Sequence, residues 1–333
     1  MFCLFAGTTP LLAQWVQTNG PPGFQIQCFA ESGTNLFAGD YEGGVSLSTN
    51  NGKSWSRVDS GLTNTNVQSL VVSPNGTGGA NIFAGTSGGV FLSTNNGTSW
   101  AELNSGLTDT SIVTLAVSPN GAGGTNLFAG TQDGGGVYLS TDNGTRWTAV
   151  NSGLLKTVYD PSLYISIWVI TVSPNGAGGT NLFAGTDNGV YLSTNNGTSW
   201  SGVSTGLLPT GVYQYSIVRS FAVVGAAVFA ESSGGSVYMS TNNGASWVAA
   251  DSGLTNTIVQ SIVASGTNLF AGTYDDGVYL STNNGTSWTA ASTGLPNAVV
   301  QVLAISGTDL IAGTFSSDVW RRPLSEMVAG GAK

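Results

Sequence analysis

Ser93-Thr94-Asn95-Asn96-Gly97-Thr98-Ser99-Trp100 recurs along the chain, with its Ser, Gly and Trp at constant spacing, at residues 48–55, 140–147, 193–200, 240–247 and 281–288. Such a repeat is read first, because each unit of an array buries its core only against its neighbours. The Val ahead of each copy stands at Val45, Val90, Val137, Val190, Val237 and Val278, and a seventh, Val319, lacks a copy after it. Successive spacings of 45, 47, 53, 47, 41 and 41 residues suit one four-stranded propeller blade.

Within a unit the apolar run at 67–72 is followed by Asn81-Ile82-Phe83-Ala84-Gly85-Thr86, then Val90-Phe91-Leu92-Ser93, then an Asn-Gly turn and a polar strand opened by Trp100. Short runs rich in β-branched and aromatic residues, punctuated by Gly and Asn, are antiparallel strands with tight turns. We call them a, b, c and d, innermost first. Phe-Ala-Gly-Thr begins at Phe83, Phe128, Phe183 and Phe270, with variants at Phe37, Phe229 and Ile311, which predicts seven b strands. Residues 15–20 read as a d strand without its a, b and c, and the last unit has a, b and c without a d. The expected fold is therefore an all-β, seven-bladed propeller of four-stranded antiparallel blades. Its N-terminal strand completes the C-terminal blade, so no strand edge is left open.

Residues 1–14 are apolar and uncharged and read as the remnant of a secretory signal peptide without its positively charged start, or as an ordinary first strand. The propeller is expected over 15–325 and a flexible tail over 326–333. Of 333 residues, 41% are hydrophobic and 8% charged, and the formal net charge is −9. Eight basic residues are too few for nucleic acid or an anionic membrane surface, and no apolar run is long enough to span a bilayer. Histidine is absent, which removes triad catalysis, His-ligated metals and His general bases. No cofactor or metal is expected. With Cys3 in the leader, Cys28 would have no partner, so the fold must hold without a disulfide.

The pattern Ser-x-Asn/Asp-x-Gly-x-x-Trp resembles the Asp-box, or bacterial neuraminidase repeat, of sialidases, xyloglucanases, sortilin-type receptors and photosystem II assembly propellers. The resemblance implies that the boxes are scaffold. Asn50, Asn95, Asp142, Asn195, Asn242 and Asn283 would bond the local backbone and tolerate a left-handed conformation. Trp55, Trp100, Trp147, Trp200, Trp247 and Trp288 would each pack on their own blade. Asp142-Asn143-Gly144 lacks the spaced carboxylates of a calcium loop. The glycosylation-like triplets at Asn96, Asn143, Asn196 and Asn284 coincide with what the turn itself demands. The ending at 319–326 resembles the closing strand of secreted repeat proteins of Bacteroidota-type bacteria, which with the leader suggests a secreted or surface-attached protein.

Box turns and a–b turns share one face of a propeller, so ligand contacts are expected on the other, where the d–a and b–c loops meet the channel mouth. There the repeat fails in three ways. Enlarged d–a loops bring Tyr159, Tyr164, Tyr213 and Tyr215. Acidic residues punctuate the b–c loops at Asp40, Glu42, Asp133, Asp187, Asp275, Asp276 and Asp318. Aligning the a strands puts Gln27, Gln68, Val113, Trp168, Arg219, Gln260 and Gln301 in one column. Aromatic faces beside amides and carboxylates suit a carbohydrate; alternatively the tyrosines pack the loops and the glutamines solvate the mouth. The sialidase relatives imply a three-arginine clamp, whereas only Arg219 of five arginines is well placed. A glycan hydrolase needs two carboxylates, for which Glu231, replacing the b-strand Gly, could pair with Asp187, Asp275 or Asp276. The assembly-factor relatives imply a basic patch that the acidic balance lacks. The reading favoured is a secreted, non-enzymatic binding or structural module for a carbohydrate or protein ligand.

Overall fold

The structure, a computed structural model, describes residues 14–21, 25–75, 78–121, 124–157, 160, 162–207, 216–232, 234–254, 257–296, 299–316 and 318–328. These form seven four-stranded antiparallel sheets, each ordered a-b-c-d. The a and b strands are Ile26–Ser32 and Asn35–Asp40 in blade 1, Val67–Pro74 and Ala80–Thr86 in blade 2, and Ile112–Pro119 and Thr125–Thr131 in blade 3. They are Ile167–Pro174 and Thr180–Thr186 in blade 4, Val218–Val224 and Ala227–Ser232 in blade 5, and Val259–Ser265 and Asn268–Thr273 in blade 6. Blade 7 consists of Val300–Ser306, Asp309–Thr314, Val319–Pro323 and, as its d strand, the N-terminal Val16–Gln17. Val16 pairs with Arg321 and Gln17 with Trp320, so the ring closes as the sequence predicts. One correction falls at the end of the chain. Residues 326–328, expected in the tail, belong to a short helix, Leu324–Val328, because Met327 finds a buried place beside Trp15 and Leu295.

The box turn explains its own spacing. Ser93 Oγ donates to Asn95 Oδ1 (2.9 Å) and accepts the Gly97 N–H (2.8 Å), while Asn95 Oδ1 also accepts the Ser99 N–H (2.9 Å). Asn95 Nδ2 donates to Ser99 Oγ (2.9 Å). Where Asp142 replaces this Asn and Arg146 replaces the Ser, only the acceptor half of the network remains. The Arg146 backbone N–H, helped by the Ser140 hydroxyl, holds that carboxyl below its ordinary range. The left-handed conformation falls elsewhere than expected: Asn96 (φ 55°) and Gly97 (φ 82°) adopt it, and Asn95 does not. Hydrogen bonding and left-handed backbone are thus divided between consecutive residues.

The box tryptophans also depart from expectation, since they tie each blade to the one before it. Trp100 of blade 2 donates its indole N–H to the Val58 carbonyl of blade 1 (2.7 Å) and its backbone N–H to Ser60 (2.9 Å). Trp147, Trp200, Trp247 and Trp288 do the same to Leu103, Val150, Val203 and Ala250 at 2.7 to 2.9 Å. Trp15 joins blade 7 to Ala291 of blade 6 (2.8 Å). Gly61 shows what the staple demands, for a Cβ there would lie 2.6 Å from the Trp100 carbonyl oxygen. Trp55 is the exception: half-buried, it bonds Gly52 of its own turn (3.1 Å) and rests against Phe29. Trp288→Ala should therefore cost about 3–5 kcal/mol in urea unfolding, and Trp55→Ala distinctly less; equal costs would contradict the stapling role.

A second set of inter-blade bonds lies nearer the axis. Ser69, Thr114, Ser220 and Ser261 each accept a backbone N–H from the next blade's a strand, at Leu115, Ile170, Ile262 and Leu303 (3.0 to 3.2 Å). Cys28 stands in the same column and accepts from Leu70; burial pushes its thiol up to about 12, so it is an inert packing group.

Candidate functional site

In every blade the a and b strands shift register at one residue, between Ile26 and Cys28, Val67 and Ser69, Ile112 and Thr114, and likewise through blades 4 to 7. The skipped residues are Gln27, Gln68, Val113, Trp168, Arg219, Gln260 and Gln301. The column found by alignment is thus a ring of β-bulges at the channel end where the d–a loops enter. A bulge frees one residue from the ladder and re-aims its side chain, so this ring is where side chains can differ between blades without disturbing the sheets.

Three adjacent members of the ring interact or share a cavity. Trp168 donates its indole N–H to Asp187 Oδ1 (2.6 Å), and Asp187 Oδ2 accepts the Ser166 N–H (3.3 Å). The Arg219 guanidinium lies 5.1 Å from the Trp168 ring centre, a cation–π distance. Arg219, Glu231 and Gln260 then line one cavity of about 310 Å³ between blades 5 and 6, with Gly234, Ile258, Val259 and Tyr274. Gln68 is held by Asn66 (2.7 Å). Gln301 presents a buried Oε1 that has no hydrogen-bond partner.

Glu231 departs most sharply from the repeat. Its counterparts are Gly39, Gly85, Gly130, Gly185, Gly272 and Gly313, where a Cβ would press on the next blade; at Gly272 it would lie 2.6 Å from Val300 Cγ1. Blade 5 carries a full carboxyl side chain there, only 3% exposed. Burial pushes it up to about 8, against the Arg219 charge and the Arg219 backbone N–H, which both pull it down. Its Oε2 is buried without a hydrogen-bond partner, as are Ser232 Oγ and Thr257 Oγ1.

The other expected residues divide. Tyr164 lines a cavity of about 540 Å³ with Thr108, Asp109, Asp133, Tyr138 and Asn151. The enlarged loop folds back there, Tyr164 N–H bonding Gly134 and Lys156 Nζ lying 4.7 Å from the Tyr164 ring centre. Tyr159, Tyr213 and Tyr215 lie outside the described residues. Several b–c loop acids are spent on their own surroundings. Asp40 accepts the Glu42 and Gly43 N–H groups, and Asp318 bonds Gln17 (2.7 Å) and Ser316; burial, and then the neighbouring Asp276, push the Tyr279 hydroxyl up. With Asp187 holding Trp168, the carboxylate pair considered for Glu231 is not assembled: Asp187, Asp275 and Asp276 all lie outside the lining of its cavity. Arg57 pairs with Asp59, Arg321 with Asp309, and Arg322 donates to the Ala291 carbonyl. Sequence reasoning missed Tyr274, whose only signal was its place beside Asp275 and Asp276. On the opposite face, the Ser-Pro-Asn-Gly loops of blades 3 and 4 join the blade 4 box turn around a cavity of about 270 Å³.

No protein-family profile matches the chain, and no curated protein matches it. Among solved structures it is similar to the extracellular domain of BT4673 from B. thetaiotaomicron, at TM-score 0.69 and 16% identity over 93% of this chain and 40% of that one. It is also similar to the GH74 xyloglucanase from Xanthomonas campestris, at TM-score 0.69 and 17% identity over 94% of this chain and 54% of that one. A third is YCF48 bound to D1 peptide, at TM-score 0.69 and 11% identity over 94% and 97%. The chain thus spans about half or less of the first two. At these identities the likeness is one of fold: the chain is a β-propeller whose neighbours include a glycoside hydrolase and binding domains.

Proposed function

We propose that the chain is a non-enzymatic, extracellular propeller of the Asp-box type that binds a carbohydrate on the d–a and b–c loop face. The observation that carries this reading is the bulge ring, in which Trp168 is hydrogen-bonded to Asp187 and flanked by Arg219, with Gln260, Gln301, Gln27 and Gln68 at the other bulges. An aromatic platform with convergent amides is the composition that stacks a sugar ring and bonds its hydroxyls. The leader-like residues 1–14 and the fold neighbour described as an extracellular domain support the location. A protein ligand on the same face is the other form of this reading.

Catalysis has one observation in its favour: a carboxyl held near 8 is poised as a general acid. Glycoside hydrolysis needs a second carboxylate across the scissile bond, and none of Asp187, Asp275 and Asp276 lines the Glu231 cavity, Asp187 being bonded to Trp168. A glycan array with a parallel hydrolysis screen separates the two. Binding should fall about tenfold in Trp168→Ala, the worth of one stacked ring, with an unchanged melt. Sugar release abolished by Glu231→Gln would instead establish a hydrolase.

A further inference from the structure

Three consecutive blades share a departure from the repeat. The first residue after the b strand is Tyr274 in blade 6, Phe315 in blade 7 and Tyr41 in blade 1, against Ser87, Gln132, Asp187 and Ser233 in blades 2 to 5. The backbone fixes its place: Tyr274, Phe315 and Tyr41 donate their N–H groups to Ile258, Val299 and Gln25 at 2.8 to 3.0 Å, each acceptor standing two residues before the bulge of its own blade. Each of those bulges carries a glutamine, Gln260, Gln301 or Gln27. In blade 6 the loop aromatic and the bulge glutamine line one cavity together with Ile258. The aromatic side chains lie open to solvent, Tyr274 being 48%, Phe315 52% and Tyr41 44% exposed. One exposed aromatic is ordinary on a protein surface. Three at the same register in adjacent blades form a row.

The same loops set the charge around the row. Exposed Asp275, Asp276 and Glu42 and half-buried Asp318 follow the three aromatics within three residues, and the b–c and d–a loops of these blades contain neither Lys nor Arg. The ion pairs among the described residues are Arg57 with Asp59 and Arg321 with Asp309, and the groups bonded to Asp318, Gln17 and Ser316, are neutral. The negative charge beside the aromatics is therefore not compensated from within the protein.

We infer that this row docks a linear amino-sugar chain of the glucosamine type, one free amine per ring, laid across blades 6, 7 and 1. The inference rests on the carbohydrate reading above and names the class of sugar; blade 5 separates its contacts from Trp168. An aromatic face packs against the C–H face of a sugar ring, and its quadrupole also attracts an ammonium group. The carboxylates alongside complement the same charge and oppose an anionic chain. A receptor that repeats from blade to blade at one register fits a ligand that repeats along its length, which a basic peptide of mixed sequence does not.

The test is calorimetric titration of the whole chain, at pH 5.5, with the linear glucosamine trimer and with its fully N-acetylated counterpart, which keeps the sugar backbone and lacks the charge. The glucosamine trimer should bind about tenfold more tightly, the combined worth of a few exposed cation–π contacts, and the preference should shrink in about 0.5 M salt. Phe315→Ala removes the middle ring from an exposed position and should weaken the glucosamine trimer about tenfold with an unchanged melt. Glu42→Gln combined with Asp275→Asn should bring the two trimers level. Equal affinity for both in the wild type would overturn the amino-sugar assignment and leave the carbohydrate reading standing. Full affinity in Phe315→Ala would overturn the row as the contact. Failure of both trimers to bind would overturn the inference, while the glycan array still decides the broader reading. Tri-lysine bound more tightly than the glucosamine trimer would also overturn it, in favour of a basic protein segment.

Discussion

Deleting residues 15–20 should lower the melting temperature by roughly 10 °C or more, at about 2 °C per kcal/mol for a chain of this size. The deletion removes Trp15, 3% exposed, whose indole and backbone N–H groups bond Ala291 and Thr293 of blade 6. Truncating a buried aromatic of this kind costs about 3–5 kcal/mol by itself. The deletion also removes the pairing with Arg321 and Trp320 and the bond from Gln17 to Asp318, and it opens the edge of the blade 7 c strand. The damage falls on the seam with the least reserve. Between blades 7 and 1, Val302 supplies no hydroxyl latch and Trp55 no indole staple. Once Asn19 and its bond to Lys53 are gone, what remains is Gly307 bonding Glu31, Arg321 reaching Asn51 and a cluster around Ile26, Leu36 and Ile311. A melt unchanged by the deletion would rule out closure by this strand.

The second large effect is a fall in stability between pH 4.5 and 8. Glu231 is an acid whose folded-state value, about 8, exceeds its ordinary 4.5. The folded protein therefore keeps a proton that the unfolded chain releases above pH 4.5. The stability this contributes is fully present below 4.5 and lost as pH rises through 8. A shift of that size corresponds to an upper bound of about 5 kcal/mol. Arg219 reduces it without cancelling it, because the guanidinium is largely solvated while the carboxyl is not. Urea unfolding at pH 5, 7 and 9 should show a progressive loss in the wild type and a level response in Glu231→Gln. A wild-type curve as flat as the variant's would mean that the carboxyl is solvated or paired. Asp142, held low by its turn, acts in the opposite direction at more acid pH and does not overlap this window.

Both effects arise where repetition fails, and that is also the boundary of what sequence could say. The box, with Phe-Ala-Gly-Thr and the Val column, determined the seven blades, their strand order and the N-terminal closing strand. Those features depend on local turn chemistry and on period-two burial, which are written in consecutive residues. The same residues also marked Glu231 and the Arg219 column as departures. What they could not convey is the direction of a side chain across a blade boundary. Trp100 reads as a cap on its own turn, and only the tertiary structure shows it bonded to Val58 of the preceding blade. The column from Gln27 to Gln301 reads as a row near the channel, and only strand register makes it a ring of bulges. Likewise, Asp187 reads as a free carboxylate, and the fold commits it to Trp168 while leaving Glu231 Oε2 without a partner. The physical reason is that the backbone period is local, whereas burial, charge and hydrogen-bond partnership are set by residues on other strands and on neighbouring blades, which only the folded ring brings together.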